Sequence, residues 1–562
     1  MNVWIRTSFV VCLTLINVSV LAANLPMSSK NGMVVSGNAI SSEIGIEVLR
    51  EGGGAVDAAV ATAFALAVTS PSGGNIGGGG FLVYRSHKGD AIAYDFRELA
   101  PSGSHPNMWL VDGQYSYEKH HLSPYAVGVP GTVKGLHLAW RDHGRLPWKR
   151  LVEPAIKLAE EGITVTLGLA RSLEGALPRM KKYPASMAQF SNKGKPFEAG
   201  HVLKQIDLAN TLQRIANKGP DGFYKGKTAT LIVKEIEANG GLITLEDLAN
   251  YKAKRRVPIK GNYRGYDIIS MPPPSSGGTA LVEMLNILEG FNLAESGFGT
   301  RVTLHRMTEA MRRAYHDRAR FMGDPDFNDN LPLVKLTSKK YAAELRNTID
   351  PNKASVSNPE SFSLPKESPS TTHFSVVDKD RNAVSLTYTL ECGYGSGIVV
   401  SGAGFLLNNQ MGDFNAGPGL TNSEGLIGTP ANLAEPGKRM LSSMTPTILA
   451  KDGELFMVSG AEGGRTIINT VLQTILNVID HKMNAQAAVD AGRFHHQWLP
   501  DVLSYEHLGF SRDSIEALGS MGHEINEVQR QGYAEVIVVN PEEKLLEGGV
   551  DRREPDGGVS GY

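Results

Sequence analysis

A layered α/β or α+β body is the fold class the sequence predicts, and three observations predict it. Helical patterns and strand-like runs are mixed along the whole chain rather than segregated. The length, 562 residues, exceeds what one simple core supports, so several domains or one large layered domain is expected. A content of 41% hydrophobic and 20% charged residues with net charge −2 describes a globular chain. It offers no electrostatic case for nucleic acid.

Taken in order, the chain begins with Arg6 followed by an apolar run from Phe9 to Leu21 and a small-residue site at Val20-Leu21-Ala22. This reads as a secretory signal peptide, residues 1–22, and predicts a periplasmic or secreted protein. Thr14, Asn17 and Ser19 interrupt the run, which makes an uncleaved anchor the poorer alternative, so no stable membrane anchor is expected. Cys12 would leave with the signal, and Cys392 alone would remain. One cysteine forms no disulfide within its own chain.

Residues 40–70 carry a helical pattern, and Ala55–Thr69 suits a buried helix. The run GGNIGGGG, Gly73–Gly80, follows that helix and precedes the strand-like FLVYR. A dinucleotide fingerprint has the opposite order, strand then helix. The glycines therefore predict a tight turn with close backbone approach. Ala91–Phe96 is a second strand. Residues 150–240 look helical, and GFYKGKT (Gly222–Thr228) reads as a surface turn entering a helix, one residue short of phosphate-loop spacing. The pairs His120-His121 and His495-His496, read as strand neighbours, point to opposite faces and present no shared metal site. Neither metal nor cofactor is expected.

Ser355–Ser370, SVSNPESFSLPKESPS, holds six serines and three prolines and is the best linker. At its end the chain turns abruptly strand-like. Thr371–Leu390 reads as a hairpin around the turn DKDRN, Asp378–Asn382. Centring the pairing on Asp380 sets Val376 against Val384, Phe374 against Leu386 and Thr372 against Tyr388. The opposite face pairs Ser375 with Ser385, His373 with Thr387 and Thr371 with Thr389. Further strands are expected at Thr447–Ala450 and Val536–Val539.

A threonine hydroxyl is a poor nucleophile until a base removes its proton. A cut before Thr371 would free its α-amino group beside that hydroxyl, and such an amine titrates near ~7.7–8.0. Thr389 would hold the hydroxyl from across the hairpin. The bland alternative is a solvated hairpin rich in threonine because threonine favours strands.

Together the motifs TTHFSVVD, NNQMGDF (Asn408–Phe414), LSSMTPT (Leu441–Thr447), GAEGGRTI (Gly460–Ile467), RFHHQWLPD (Arg493–Asp501), NIGGGGF and DFRELAP (Asp95–Pro101) make the chain closely resemble the γ-glutamyltranspeptidases of the N-terminal nucleophile hydrolase superfamily. That resemblance implies an α+β, four-layer αββα sandwich and a self-cut between Ser370 and Thr371. The fragments would be 23–370 and 371–562, folded together as a heterodimer. It further implies transfer of a γ-glutamyl group from glutathione and related γ-glutamyl compounds, through an ester on Thr371, to water or to amino acid or dipeptide acceptors. By the same resemblance, Arg97 with Ser442 and Ser443 would hold the substrate α-carboxylate. Asp413, Gln410 and Glu391 would surround its ammonium, and Gly463 and Gly464 would supply the oxyanion hole.

Three positions depart from the family pattern. Glu391 stands where many members have Asn, Gly412 replaces the first of two acids before Phe414, and Glu424 stands where some members carry an aromatic lid residue in the loop Pro418–Lys438. The nearest rival is a glutaryl-type β-lactam acylase on the same scaffold. It would leave Asp413 and Glu391 without a cation, costing several kcal/mol if they are buried.

Overall fold

Two seven-stranded antiparallel sheets stack face to face at the centre of the molecule. The computed structural model describes residues 24–358, 371–420 and 428–562. The signal segment 1–22, the linker beyond Asn358 with Ser370, and Glu424 of the expected lid lie outside these residues.

The first sheet runs Gly558–Gly561, Met33–Ser36, Thr371–Val377, Ala383–Thr389, Gly79–Arg85, Ala91–Phe96, Lys254–Arg256. The hairpin Thr371–Thr389 is therefore central, not an edge. Its register is the expected one throughout, from Thr371 opposite Thr389 to Val376 opposite Val384. Every residue of both strands is buried, so the solvated-hairpin alternative is overturned. The second sheet runs Met27–Ser29, Leu546–Val550, Tyr533–Val539, Glu454–Glu462, Thr447–Lys451, Tyr266–Ser270, Ile259–Tyr263.

Helices cover both outer faces. Ala55–Thr69 is apolar on every side and all of its residues are buried, as its uninterrupted alanine-rich pattern requires. Its first turn carries Asp57, whose carboxylate accepts N–H bonds from Gly54 at 2.8 Å and Arg145 at 2.9 Å. The helix packs with Phe374, Val376, Val384, Leu386 and Tyr388 of the first sheet into one core. A second core joins the other face of that sheet (Met33, Val35, Phe81, Val83) to the second sheet and to the helices Gly277–Leu288, Arg301–Phe321 and Thr466–Ile479. The layers are thus helix, sheet, sheet, helix: the αββα sandwich.

The glycine run makes the backbone approach expected of it. A Cβ on Gly78 would lie 2.0 Å from the Thr389 carbonyl, and one on Gly80 2.4 Å from the Thr387 carbonyl. No side chain fits there. GFYKGKT is not the surface turn expected of it: Gly222–Tyr224 are buried in the short helix Asp221–Tyr224, and Lys225 joins that helix to Gly226–Ala238. His120 and His121 are not strand neighbours. They sit in a single π-turn, Glu118–Leu122, with ring centroids 4.4 Å apart.

Candidate active site

One pocket gathers Arg97, Thr371, Thr389, Glu391, Gln410, Asp413, Ser442, Ser443 and Gly464, together with Met444 and Ile467. These residues come from six separate segments, and each arrives by a local structural reason.

Thr371 opens its strand and is 5% exposed. The glycine run begins beneath it, where a Cβ on Gly73 would sit 3.2 Å from the Thr371 carbonyl carbon. Opposite, the Thr389 hydroxyl oxygen accepts the Glu391 N–H at 2.9 Å. Glu391 has φ 80°, a left-handed turn that ends the strand and puts the Glu391 carboxylate on the pocket wall.

Arg97 follows the strand Ala91–Phe96 and is anchored from behind. Its backbone N–H donates to Asp95 at 3.1 Å, its Nε to the Met440 carbonyl at 3.3 Å and its Nη2 to the Leu441 carbonyl at 3.2 Å. Nη2 also pairs with Asp413. Among the described residues, Nη1 is buried with no hydrogen-bond partner and lies 3.8 Å from Glu98. Burial pushes the Glu98 carboxyl up to about 8 despite that arginine, so Asp413 rather than Glu98 is the anion that balances Arg97. The Ser442 oxygen accepts the Met444 N–H at 3.0 Å, and the Ser443 oxygen accepts from Arg318 at 3.0 Å. With its oxygen serving as acceptor, each serine keeps its hydroxyl proton to give to an anion.

On the opposite wall, Gln410 Nε2 donates to Asp413 Oδ2 at 2.6 Å. The Glu391 oxygen Oε2 accepts from Asn409 Nδ2, while Oε1 is buried without a hydrogen-bond partner among the described residues. The wall thus presents carboxylate oxygens and the other wall a guanidinium, with Arg97 and Asp413 paired across them. Such a site suits a group that carries both charges on one carbon.

Gly463 and Gly464 form the turn between the strand Glu454–Glu462 and the helix Thr466–Ile479. Both take positive φ, 129° and 60°, and their N–H groups donate to no backbone carbonyl among the described residues. The helix N-terminus behind them adds partial positive charge. Only Gly464 lines the pocket with Thr371. Gly463 faces a neighbouring cavity of about 510 Å³ walled by Ser70, Ser72, Glu462 and Arg530.

Sequence reasoning missed Asn409 and His121, which stand behind Glu391. Met444 and Ile467 lay inside the quoted motifs, but apolar residues there carried no chemical signal. Among the described residues, His305, Glu309 and His523 form the one group spaced for a metal. The Glu309 oxygens are already occupied by Arg312, Arg313 and the Ser355 N–H, which reads as a structural cluster.

A family model described as Gamma-glutamyltranspeptidase matches residues 41–561. The glutathione hydrolase proenzyme of Escherichia coli (strain K12) is 47% identical over 542 residues, covering 96% of this chain and 93% of that protein. The one from Pseudomonas sp. (strain A14) is 45% identical, covering 92% and 90%. Among solved structures, cephalosporin acylase from Bacillus halodurans superposes with a TM-score of 0.84 at 30% identity, covering 98% of this chain and 99% of that one. The γ-glutamyltranspeptidase of Helicobacter pylori gives 0.56 at 44% identity, covering 59% of this chain and 93% of that one.

Proposed function

The chain belongs to the γ-glutamyltranspeptidase family, and from that premise we propose that Thr371 is the nucleophile through which it works. The activity is γ-glutamyl transfer and glutathione hydrolysis. The observation that carries the assignment is the convergence of Thr371, a buried guanidinium and two carboxylates on one pocket.

In this reading the chain first cuts itself between Ser370 and Thr371. The freed α-amino group takes the proton of the Thr371 hydroxyl, whose oxygen attacks the γ-carbonyl of a small-molecule γ-glutamyl substrate such as glutathione. Thr389 steers that oxygen. The tetrahedral oxyanion is met by the Gly463 and Gly464 N–H groups. Collapse expels the leaving amine, which takes the proton, and leaves a γ-glutamyl ester on Thr371. Water, or the amine of an amino acid or dipeptide acceptor, then repeats the sequence.

Arg97, Ser442 and Ser443 hold the substrate carboxylate, and Asp413, Gln410 and Glu391 its ammonium. An α-linked glutamyl group carries its reacting carbonyl beside the ammonium and cannot satisfy both anchors. A glutaryl group has no ammonium at all. The acylase alternative, kept in view by the cephalosporin acylase likeness, is disfavoured because a glutaryl group would bring no cation to Glu391, whose Oε1 is buried without a hydrogen bond among the described residues, although Asp413 would keep Arg97.

The fragments would be 23–370 and 371–562. In support, the Helicobacter pylori chain matches only 59% of this one while being covered at 93%, a share close to that of residues 23–370. Export to the periplasm or medium rests on the N-terminal segment 1–22. No described helix is long and apolar enough to cross a membrane.

A chromogenic γ-glutamyl anilide, assayed with and without a dipeptide acceptor, tests the activity. Amino-terminal sequencing of the smaller fragment tests the cut: it should begin at Thr371. An active protein running as one full-length band would refute the maturation scheme.

A further inference from the structure

Glu391 and Gly412, two of the positions that depart from the family pattern, meet in space, and His121 stands between them. A Cβ on Gly412 would fall 2.4 Å from His121 Nδ1 and 2.9 Å from Cε1. That same Nδ1 lies 3.6 Å from Glu391 Oε1. The ring is 1% exposed, is stacked on Tyr117 at 4.5 Å, and has an Nε2 with no hydrogen-bond partner among the described residues. Glu391 Oε1 is therefore the acceptor toward which a proton on Nδ1 would point. Asn409 ties the three together: its Nδ2 donates to the His121 carbonyl at 2.9 Å and to Glu391 Oε2, and its carbonyl accepts the Gly412 N–H at 3.1 Å.

We propose that His121 is a positioning residue for amine recognition, holding Glu391 so that Oε1 faces the substrate ammonium, and that position 412 is glycine to seat its ring. The inference rests on the reading of the pocket as a γ-glutamyl site. A carboxylate fixed on one oxygen by Asn409 still rotates about its last bond, and the imidazole limits that rotation from the other side. Any side chain at 412 would push the ring out of place. The charge of Glu391 reaches the substrate only while the ring stays seated.

The test compares γ-glutamyl and glutaryl anilides on the mature enzyme, each variant being checked for self-cleavage and thermal midpoint. His121→Phe keeps a flat stacked ring and deletes Nδ1. It should raise KM for the γ-glutamyl anilide about tenfold with kcat within about twofold, the signature of lost ground-state binding. Preference over the glutaryl anilide should fall by the same factor. His121→Asn, which restores a polar nitrogen near Nδ1, should return KM to within about threefold of the unmutated enzyme. Gly412→Ala should mimic His121→Phe, and adding His121→Ala to it should cost less than the two changes summed. If His121→Phe does not fold, the Gly412→Ala pair carries the test. No preference for γ-glutamyl in the unmutated enzyme would overturn the pocket reading itself. A normal preference that survives both His121→Phe and Gly412→Ala, or an equal loss on both anilides, would overturn the role of His121 alone.

Discussion

The two faces of the hairpin Thr371–Thr389 are equally buried and chemically opposite. On one face Phe374, Val376, Val384, Leu386 and Tyr388 join the helix Ala55–Thr69 in an apolar core. On the other, His373 bonds Thr387 at 2.8 Å and Ser375 at 3.2 Å. There Ser375 and Ser385 donate across to the second sheet, to the Glu535 and Ser459 carbonyls, each at 3.0 Å. The apolar face holds the strand in the molecule by area. The polar face stitches the two sheets in one register, and its last pair is Thr371 with Thr389. Hydrogen bonds are directional where apolar contact is not, so the face that positions Thr371 is the polar one.

The difference can be broken most completely at its end. Thr371→Ala should leave a single uncleaved chain on denaturing electrophoresis and abolish anilide turnover while the fold persists. Phe374→Ala attacks the other face. It should cost ~3–5 kcal/mol of stability, read by thermal or denaturant unfolding, with kcat/KM of the folded fraction nearly unchanged. If Phe374→Ala altered substrate preference as strongly as stability, the division of labour between the faces would fail.

A smaller effect sharpens the comparison across the pocket. Asp413→Asn should erode the preference for γ-glutamyl over glutaryl anilides by about 2–3 kcal/mol in kcat/KM, and should slow self-cleavage less, because cleavage needs no glutamyl ammonium.

The smallest expected effect is a pH dependence confined to the polar face. Burial lowers His373 from 6.5 to about 3, so the folded chain keeps it neutral where the unfolded chain takes up a proton. Stability from this group is complete above pH 6.5 and is lost as pH falls toward 3. Measured on the uncleaved Thr371→Ala chain, the penalty between pH 7 and pH 5 should be about 2 kcal/mol, and His373→Gln should remove it. Phe374→Ala should leave that slope unchanged.

Much of this was legible in the sequence because it is local. Period-two alternation set the hairpin register, and it held at each of the six predicted pairs. The alanine-rich run Ala55–Thr69 announced a helix buried on every side, and the order helix, glycines, strand excluded a nucleotide loop. The motifs supplied Arg97, Asp413, Gln410, Ser442, Ser443, Gly463 and Gly464, the family resemblance they carry added Glu391, and all but Gly463 line one pocket.

What the sequence could not carry is what stands opposite. Alternation says which side chains share a face but not what that face meets, so the Ser375–Ser385 side read equally well as solvated until the second sheet was seen covering it. The long strand Glu454–Glu462 was not foreseen, nor was the helix Arg301–Phe321, although both belong to the second core. Likewise Glu391, His121 and Gly412 come from segments hundreds of residues apart in part, and no local pattern links an acid, a ring and a missing side chain. Their relation exists only as distances, 3.6 Å and 2.4 Å, and distances between remote segments are set by how the layers pack. The sequence by itself determined the strand that Thr371 opens and the residue types around it; the tertiary structure alone decided which carboxylate oxygen is left without a hydrogen bond among the described residues.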